Sequence, residues 1–279
     1  MSLINKFFSI SKNLEDKSSS FENLKKTKAI LQLFSAIESY SENSEVRYVG
    51  GCVRKALNNE VLDDIDLAVN LKPNECIEAL NNNNIKFYET GIKHGTITAI
   101  IDDHKFEITS LRKDLNTDGR HAEVSFSKDW YVDASRRDFT INSIYADING
   151  NLFDPFDGKE DLKNGKINFI GDPEKRIKED YLRILRYIRF FINYSKQPHD
   201  VKVQRLIKKN LIGISNISTE RMLDEFKKII NSSQFLKLFK DPFCEEIINL
   251  IFPQFKNLKI FKKLNEFSKK SYWKNKGCQ

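Results

Sequence analysis

Cysteine is scarce in this chain of 279 residues. The four that occur, Cys52, Cys76, Cys244 and Cys278, are scattered and form no CxxC pair. This argues against a disulfide framework or a cysteine-ligated zinc module and suits reduced thiols in a cytoplasm. Long apolar runs are absent too. None approaches the roughly 20 residues that span a bilayer, so no membrane partner is expected. The opening stretch MSLINKFFSISKNLED has no small-residue cleavage site, so no export signal is expected. There is no internal repeat. The one adjacent His-Asp pair, His199-Asp200, stands alone in the sequence and gives no support to a phosphohydrolase. Arginine is also sparse, with 12 against 34 lysines.

What is present is a foldable, mildly basic chain. Hydrophobic residues make up 40% and charged residues 30%, with a net charge of +7. That length and apolar content can bury a sizeable core in one large domain or two modest ones. The charge is uneven: residues 190–279 hold 18 Lys/Arg against 8 Asp/Glu, whereas residues 1–189 are slightly acidic. A basic last third suits a polyanion, and a solvated lysine-rich surface is the plain alternative. Aromatics there, Phe239, Phe255, Tyr272 and Trp273, can stack on bases or simply pack.

Periodicity divides the chain. Arg47–Val49, Ile65–Val69, Ile97–Ile101 and Phe106–Leu111 read as strands, while Phe21–Tyr40 and Pro73–Asn82 carry helical spacing. After residue 171 strand signals vanish. Asp172-Pro173-Glu174 is a strong helix start, and the helix it opens is expected to run to about Tyr194. Further helical stretches fall at Val201–Asn210, Thr219–Ile230, Phe235–Phe239 and Phe243–Ile251. The fold class expected is α+β: a mixed-sheet domain over residues 26–165, preceded by an extension over 1–25 and followed by an all-helical domain over 166–279.

Several clusters carry chemistry. Gly50-Gly51 after a strand and before a helix aims free backbone N–H groups at one spot, a phosphate turn to which Arg54 can add a guanidinium. Asp64 and Asp66, two apart on a strand, share a face and can hold hard cations. Glu107 is either a third carboxylate beside them or the partner of a Lys or Arg. Arg136, Arg137 and Asp138 open an apolar helical stretch where arginines can clamp a triphosphate. Six of the 12 arginines fall within residues 136–189, where even spreading would place about two. On the helix from Asp172, the residues Asp180, Arg183, Arg186 and Arg189 recur every three positions as one stripe. A carboxylate and a guanidinium one turn apart can meet the Watson–Crick edge of a base; an internally paired charged face is the alternative.

These segments together resemble the class II CCA-adding tRNA nucleotidyltransferases and bacterial poly(A) polymerases. The resemblance rests on GGCVRKALNNEVLDDIDLAV, His94-Gly95-Thr96, Phe106-Glu107-Ile108-Thr109, Asp118-Gly119-Arg120, Arg136-Arg137-Asp138-Phe139-Thr140-Ile141-Asn142 and the Glu179–Phe190 run, in order, over roughly residues 45–195. It implies a polymerase-beta-like catalytic head and template-independent addition of CCA to the 3′ end of tRNA. CTP and ATP would be the donors, pyrophosphate the product and Mg²⁺ the metal, held by Asp64 and Asp66. It also implies nucleotide contacts from Gly50, Gly51, Arg54, Arg137, Asp138 and Asn142. Base choice would fall to Glu179, Asp180 and Arg183, with Arg186 and Arg189 assisting. Two features depart from the family pattern: Lys55 stands where an acidic residue is usual, and about 90 residues follow the selector helix where the family usually has more. Rival expectations are a poly(A) or partial CCA product, an RNA-binding protein without catalysis, and a small-molecule nucleotidyltransferase.

Overall fold

A computed structural model of the chain describes residues 21, 24–62, 64–117 and 122–254. It forms two compact units, the first comprising residues up to 113 with 124–137 and 141–159, the second 114–123, 138–140 and 160 onward.

The first unit is built on a sheet. Helix α1 (Lys28–Glu38) buries Ile30, Leu33, Phe34 and Ile37, the i, i+3, i+4, i+7 stripe of an amphipathic helix. Strand β1 (Val46–Val49) enters α2 (Gly51–Leu57), and β2 (Ile65–Val69) leads to α3 (Pro73–Asn82). Pro73 occupies the first turn of α3, and Glu75 accepts from the Lys72 backbone N–H at 2.7 Å, so start signals set this helix. Strands β3 (Lys86–Gly91), β4 (Thr96–Ile101) and β5 (His104–Ser110) follow. β6 (Arg112–Thr117) and β7 (Ala122–Phe126) pair as a separate two-stranded sheet, whose residues 114–117 and 122–123 are counted with the second unit. Helix α4 (Trp130–Arg136), capped by Asp129, precedes the short strands β8 (Tyr145–Ala146) and β9 (Leu152–Phe153).

The main sheet has seven strands in the order β3-β4-β5-β2-β1-β8-β9. It is mixed: β2 and β5 run parallel, and the other neighbours are antiparallel. Strand alternation sorts its two faces. Tyr48, Leu67, Phe106 and Ile108 join the core with α1 and α3, whereas Val49 and Ala68 pack with Trp130, Ala134 and Tyr145 on the side of α4. Asp66 shares the parity of Ala68, and Glu107 alternates with Phe106 and Ile108. Both carboxylates therefore belong to the α4 face.

Helix α5 (Gly158–Asn164) covers the point where the first unit ends. The second unit holds α6 (Pro173–Glu179), α7 (Leu182–Tyr194), α8 (Val201–Asn210), α9 (Thr219–Ile230) and α10 (Pro242–Ile251), with 3₁₀ turns at Leu211–Asn216 and Phe235–Lys240. Side-chain oxygens cap four of these starts: Asp172, Asp200, Ser218 and Asp241 each accept from a first-turn backbone N–H. Within this unit Phe139 packs against Phe169 and Phe190, their ring centroids 4.7 and 5.4 Å away.

Three expectations are corrected. The single helix from Asp172 to Tyr194 breaks at Asp180, whose backbone is extended and whose Oδ1 accepts from the Leu182 N–H at 3.2 Å. A short carboxylate that bonds its own downstream backbone competes with the helix ladder and starts a new helix. Arg136 closes helix α4, and Arg137 is already extended; only a 3₁₀ turn, Thr140–Asn142, follows. The Asp138 carboxylate accepts from the Phe139 N–H at 2.9 Å, and Phe139 makes a β-bridge to Phe169, which holds the backbone out of a helix. The helix expected over Phe21–Tyr40 is continuous only over Lys28–Glu38.

Asp180 is followed by Tyr181, whose ring fills the space beside Gly213. A Cβ there would stand 2.1 Å from the ring's Cε1. Gly213→Ala should therefore lower stability by about 1–3 kcal/mol, the usual cost of overpacking a filled site. An unchanged urea midpoint for the full chain would contradict this packing.

Candidate active site

The site starts from the strand–turn–helix of β1 and α2. Gly50 has φ of +69°, a backbone region that L side chains rarely adopt, so the turn demands glycine. Across it lies Asp66: a Cβ on Gly51 would stand 3.7 Å from its Oδ2. A Cβ on Gly50 would stand 3.7 Å from Arg137 Nη1. A Cβ at either position would make only ordinary van der Waals contact, so the backbone of Gly50 is what calls for glycine, and the turn has a carboxylate on one side and a guanidinium on the other.

The parallel register of β2 and β5 sets Asp66 directly beside Glu107. Asp64 lies one residue before β2 and is exposed, while Asp66 is half-buried. Burial raises the Asp66 carboxyl above its ordinary value, and the charge of Glu107, then that of Asp64, adds to the rise; Arg137 and Arg54 oppose it. Carboxylates that repel one another with no softer ligand among them suit a hard divalent cation, and a dication would relieve the repulsion that the fold builds in. The residues fit Mg²⁺ on this ground. The register neighbour of Glu107 is thus a carboxylate and not a Lys or Arg.

Two arginines meet through one asparagine. Arg54, 6% exposed, donates to Asn142 Oδ1, and Arg137 Nη1 donates to the Asn142 carbonyl at 3.5 Å. Arg137 is anchored from behind, its Nε donating to Tyr145 Oη at 2.9 Å and its Nη2 to Asp133 Oδ2 at 3.0 Å. Asp133, 1% exposed, also accepts from Arg136 Nη2 at 2.7 Å, from the Tyr145 hydroxyl at 2.6 Å and from the Arg112 backbone N–H at 3.2 Å. Burial alone would raise this carboxyl; Arg137, Arg136 and the Tyr145 hydroxyl together hold it far below the usual carboxylate range. Sequence reasoning missed Asp133 and Tyr145. The i, i+3 and i, i+4 spacing of Asp133 to Arg136 and Arg137 was the readable signal; nothing local marks Tyr145.

In the helical unit the expected base-reading residues form a chain of paired charges. Glu179 Oε2 accepts from Arg183 Nη1 at 2.8 Å and from Arg176 Nη1 at 2.5 Å, and Arg183 also donates to the Arg176 carbonyl at 2.6 Å. Asp180 Oδ2 accepts from Arg221 Nη2 at 2.8 Å. Asp138 Oδ2 accepts from Arg186 Nε at 2.6 Å, and Arg189 Nε donates to Glu225 Oε1 at 2.5 Å. Glu179, Asp180 and Arg183 thus gather where α6 gives way to α7, and helix α9 supplies Arg221 and Glu225, which the sequence reading did not select. No sequence signal joins positions 36 and 41 residues apart.

Other expectations fall elsewhere. Phe239 packs edge-on against Phe235 at 5.3 Å and is a packing residue. Phe255, Tyr272 and Trp273, the Asp118-Gly119-Arg120 loop, and eight of the 18 basic residues of the last third lie outside the described residues.

The buried brace gives a stability prediction. Asp133→Ala leaves two guanidiniums without their counter-charge and should cost about 3–5 kcal/mol by chemical denaturation. Because the Asp133 carboxyl is depressed in the fold, its stabilisation is present above the ordinary carboxylate range near pH 4 and is lost as pH falls below it. A variant with wild-type stability at pH 7 would remove Asp133 from this role.

Comparisons with known proteins bear on both units. The family described as poly A polymerase head domain matches residues 46–168, and that described as a probable RNA and SrmB binding site of polymerase A matches residues 200–259. A human protein named CCA tRNA nucleotidyltransferase 1, mitochondrial, is 47% identical over 206 residues, covering 73% of this chain and 46% of the relative. A CCA-adding enzyme of Lactobacillus helveticus is 37% identical over 202 residues, covering 71% and 49%. The chain spans about half the length of the curated relatives it matches. Among solved structures, the Bacillus stearothermophilus CCA-adding enzyme in complex with CTP superposes with a TM-score of 0.66 at 28% identity, covering 80% of this chain and 51% of that one. A tRNA nucleotidyltransferase complexed with a primer tRNA and an incoming ATP analogue shares the fold, with a TM-score of 0.67 at 24% identity, covering 86% and 68%. Carboxylates aligned beside a glycine turn, a matching head and these relatives lead to one conclusion: the chain belongs to the family of CCA-adding tRNA nucleotidyltransferases and poly(A) polymerases.

Proposed function

We propose that the chain adds CCA to the 3′ end of tRNA, without a template, taking CTP and ATP as donors and releasing pyrophosphate. The observation that carries this reading is the Asp66–Glu107 register pair, with Asp64 two residues upstream and the Gly50-Gly51 turn against Asp66. Asp64 and Asp66, with Glu107 beside them, would hold Mg²⁺, whose charge would supply a lowered pKa at the terminal 3′-hydroxyl and offset charge on the α-phosphate. The chain's own groups do the rest. Gly50 and Gly51 present backbone N–H groups to phosphate oxygens, and Arg137, held rigid by Asp133 and Tyr145, donates to the departing pyrophosphate. Arg54 and Asn142 fix each other at the nucleotide. Positioning and charge stabilisation carry the rate, with no covalent enzyme intermediate.

Base choice is assigned to Glu179, Asp180 and Arg183. An Asp accepts from the exocyclic amino group that cytosine and adenine share, and an Arg donates to a ring nitrogen or carbonyl oxygen. Arg186 and Asp138 hold each other beside them, as do Arg189 and Glu225. The basic last third supplies the surface for tRNA phosphates. The three described cysteines are free and buried, which supports a reducing compartment such as the cytoplasm. No helix among the described residues is long and apolar enough to cross a membrane.

Asp66→Asn should lower pyrophosphate release from CTP with tRNA by more than about a hundredfold, the scale of losing one preorganised charge-stabilising group. The same substitution should raise the stability of the metal-free chain, because it removes a desolvated carboxylate set against Glu107. Activity near wild type would end the metal assignment. Asp180→Ala or Arg183→Ala should erode discrimination of CTP and ATP from UTP and GTP by about 1–3 kcal/mol. Unchanged incorporation ratios for all four nucleotides would remove this segment from base selection.

A further inference from the structure

The geometry points to a second metal site, in the helical unit, in which His199, Asp241 and Cys244 bind a thiophilic divalent cation such as Zn²⁺. His199 lies between α7 and α8, and Asp241 and Cys244 open α10. In the sequence His199 has only Asp200 beside it; the fold brings two donors from more than 40 residues away. His199 Nε2 stands 3.1 Å from Asp241 Oδ1 and 3.6 Å from Cys244 Sγ, and the three ligand atoms lie within 4.8 Å of one another. A tetrahedral zinc with Zn–N near 2.0 Å and Zn–S near 2.3 Å separates nitrogen from sulfur by about 3.5 Å and nitrogen from oxygen by about 3.3 Å. The nitrogen–oxygen and nitrogen–sulfur spacings match that polyhedron before any ion is added.

The surroundings support the assignment. His199 Nδ1 lies 2.9 Å from Tyr187 Oη, and the ring stacks on Phe191 at 3.4 Å between centroids. With Nδ1 protonated and donating to that hydroxyl, Nε2 turns its lone pair toward Asp241 and Cys244, the outer hydrogen bond that orients a ligating histidine. Burial holds the ring below its ordinary pKa, against the pull of Asp241, so it is the neutral imidazole that metals take. Asp241 Oδ1 also accepts from the Cys244 backbone N–H at 2.8 Å, so the cap that starts α10 sets the carboxylate and the thiol side by side against that nitrogen. The His199 side chain is 4% exposed and Cys244 is fully buried, while the Asp241 side chain is 26% exposed and gives the ion its route in. Binding replaces the thiol proton, which passes to solvent, and the fourth position is left to water or the second Asp241 oxygen. The ion would tie the start of α10 to the α7–α8 connection, a structural role separate from the oxygen-only cluster around Asp66.

The two sites differ in ligand chemistry, so one experiment separates them. The full chain, stripped with a chelator, is titrated with Co²⁺ and then Zn²⁺. The expected result is a thiolate-to-cobalt charge-transfer absorption saturating at one ion per chain and bleached by Zn²⁺, with a Zn²⁺-dependent rise of a few degrees in the melting midpoint. Cys244→Ser and His199→Gln should lose the band and the midpoint rise, whereas Cys52→Ser and Asp66→Asn should keep both. A wild-type chain that binds Co²⁺ without a thiolate band, or a band that survives Cys244→Ser, would overturn the assignment. The wild-type spectrum decides even if a core variant fails to fold.

Discussion

The constraint on which the head depends is the placement of like charges side by side. A parallel pairing of β2 and β5 in an otherwise antiparallel sheet sets Asp66 against Glu107, and burial raises the cost of ionising Asp66. In a sheet that only had to fold, an apolar or oppositely charged pair would serve better. The structure instead sets the Gly50-Gly51 turn beside this repulsion, with Arg54 and Arg137, which soften it without neutralising it. That residual negative charge suits the hard cation of the proposed function, for which local instability would be a condition.

Several buried charges elsewhere among the described residues follow the opposite rule. Asp133 binds Arg136, Arg137 and Tyr145 in a closed buried network, so that Arg137 has a fixed direction. In the helical unit Glu179 ties Arg176 to Arg183, Arg221 holds Asp180 and Glu225 holds Arg189. A base-reading group needs its partners preorganised, because each free rotamer would cost ordering entropy on every nucleotide bound. Under the proposed function, the internally paired face would also be the recognition face. Pairing is how the side chains are held.

Much of this was legible in the sequence wherever the signal was local. The Gly-Gly turn, the strand over Ile65–Val69 and the helix over Pro73–Asn82 follow from turn residues, alternation and a proline start, and the structure has them at those positions. What failed did so for physical reasons. The break at Asp180 depends on a carboxylate preferring its own backbone to a helical one, and the end of α4 at Arg136 depends on a bridge from Phe139 to Phe169. Neither shows in apolar periodicity. Asp133, Arg221 and Glu225 matter through contacts, and for the last two the partners lie 41 and 36 residues away. His199 illustrates the same limit, since only the fold gives it Asp241 and Cys244.

The proposed function is that the carboxylates of the head, with the paired residues of the helical unit, add CCA. The most direct measurement is sequencing of the 3′ ends formed when the chain is incubated with Mg²⁺, CTP and ATP on tRNAs ending before, within and after CCA. The account predicts completion to CCA on the first two, nothing added to the third, and no product with a chelator present. A run of adenylates, extension beyond CCA, or an unextended tRNA would contradict it.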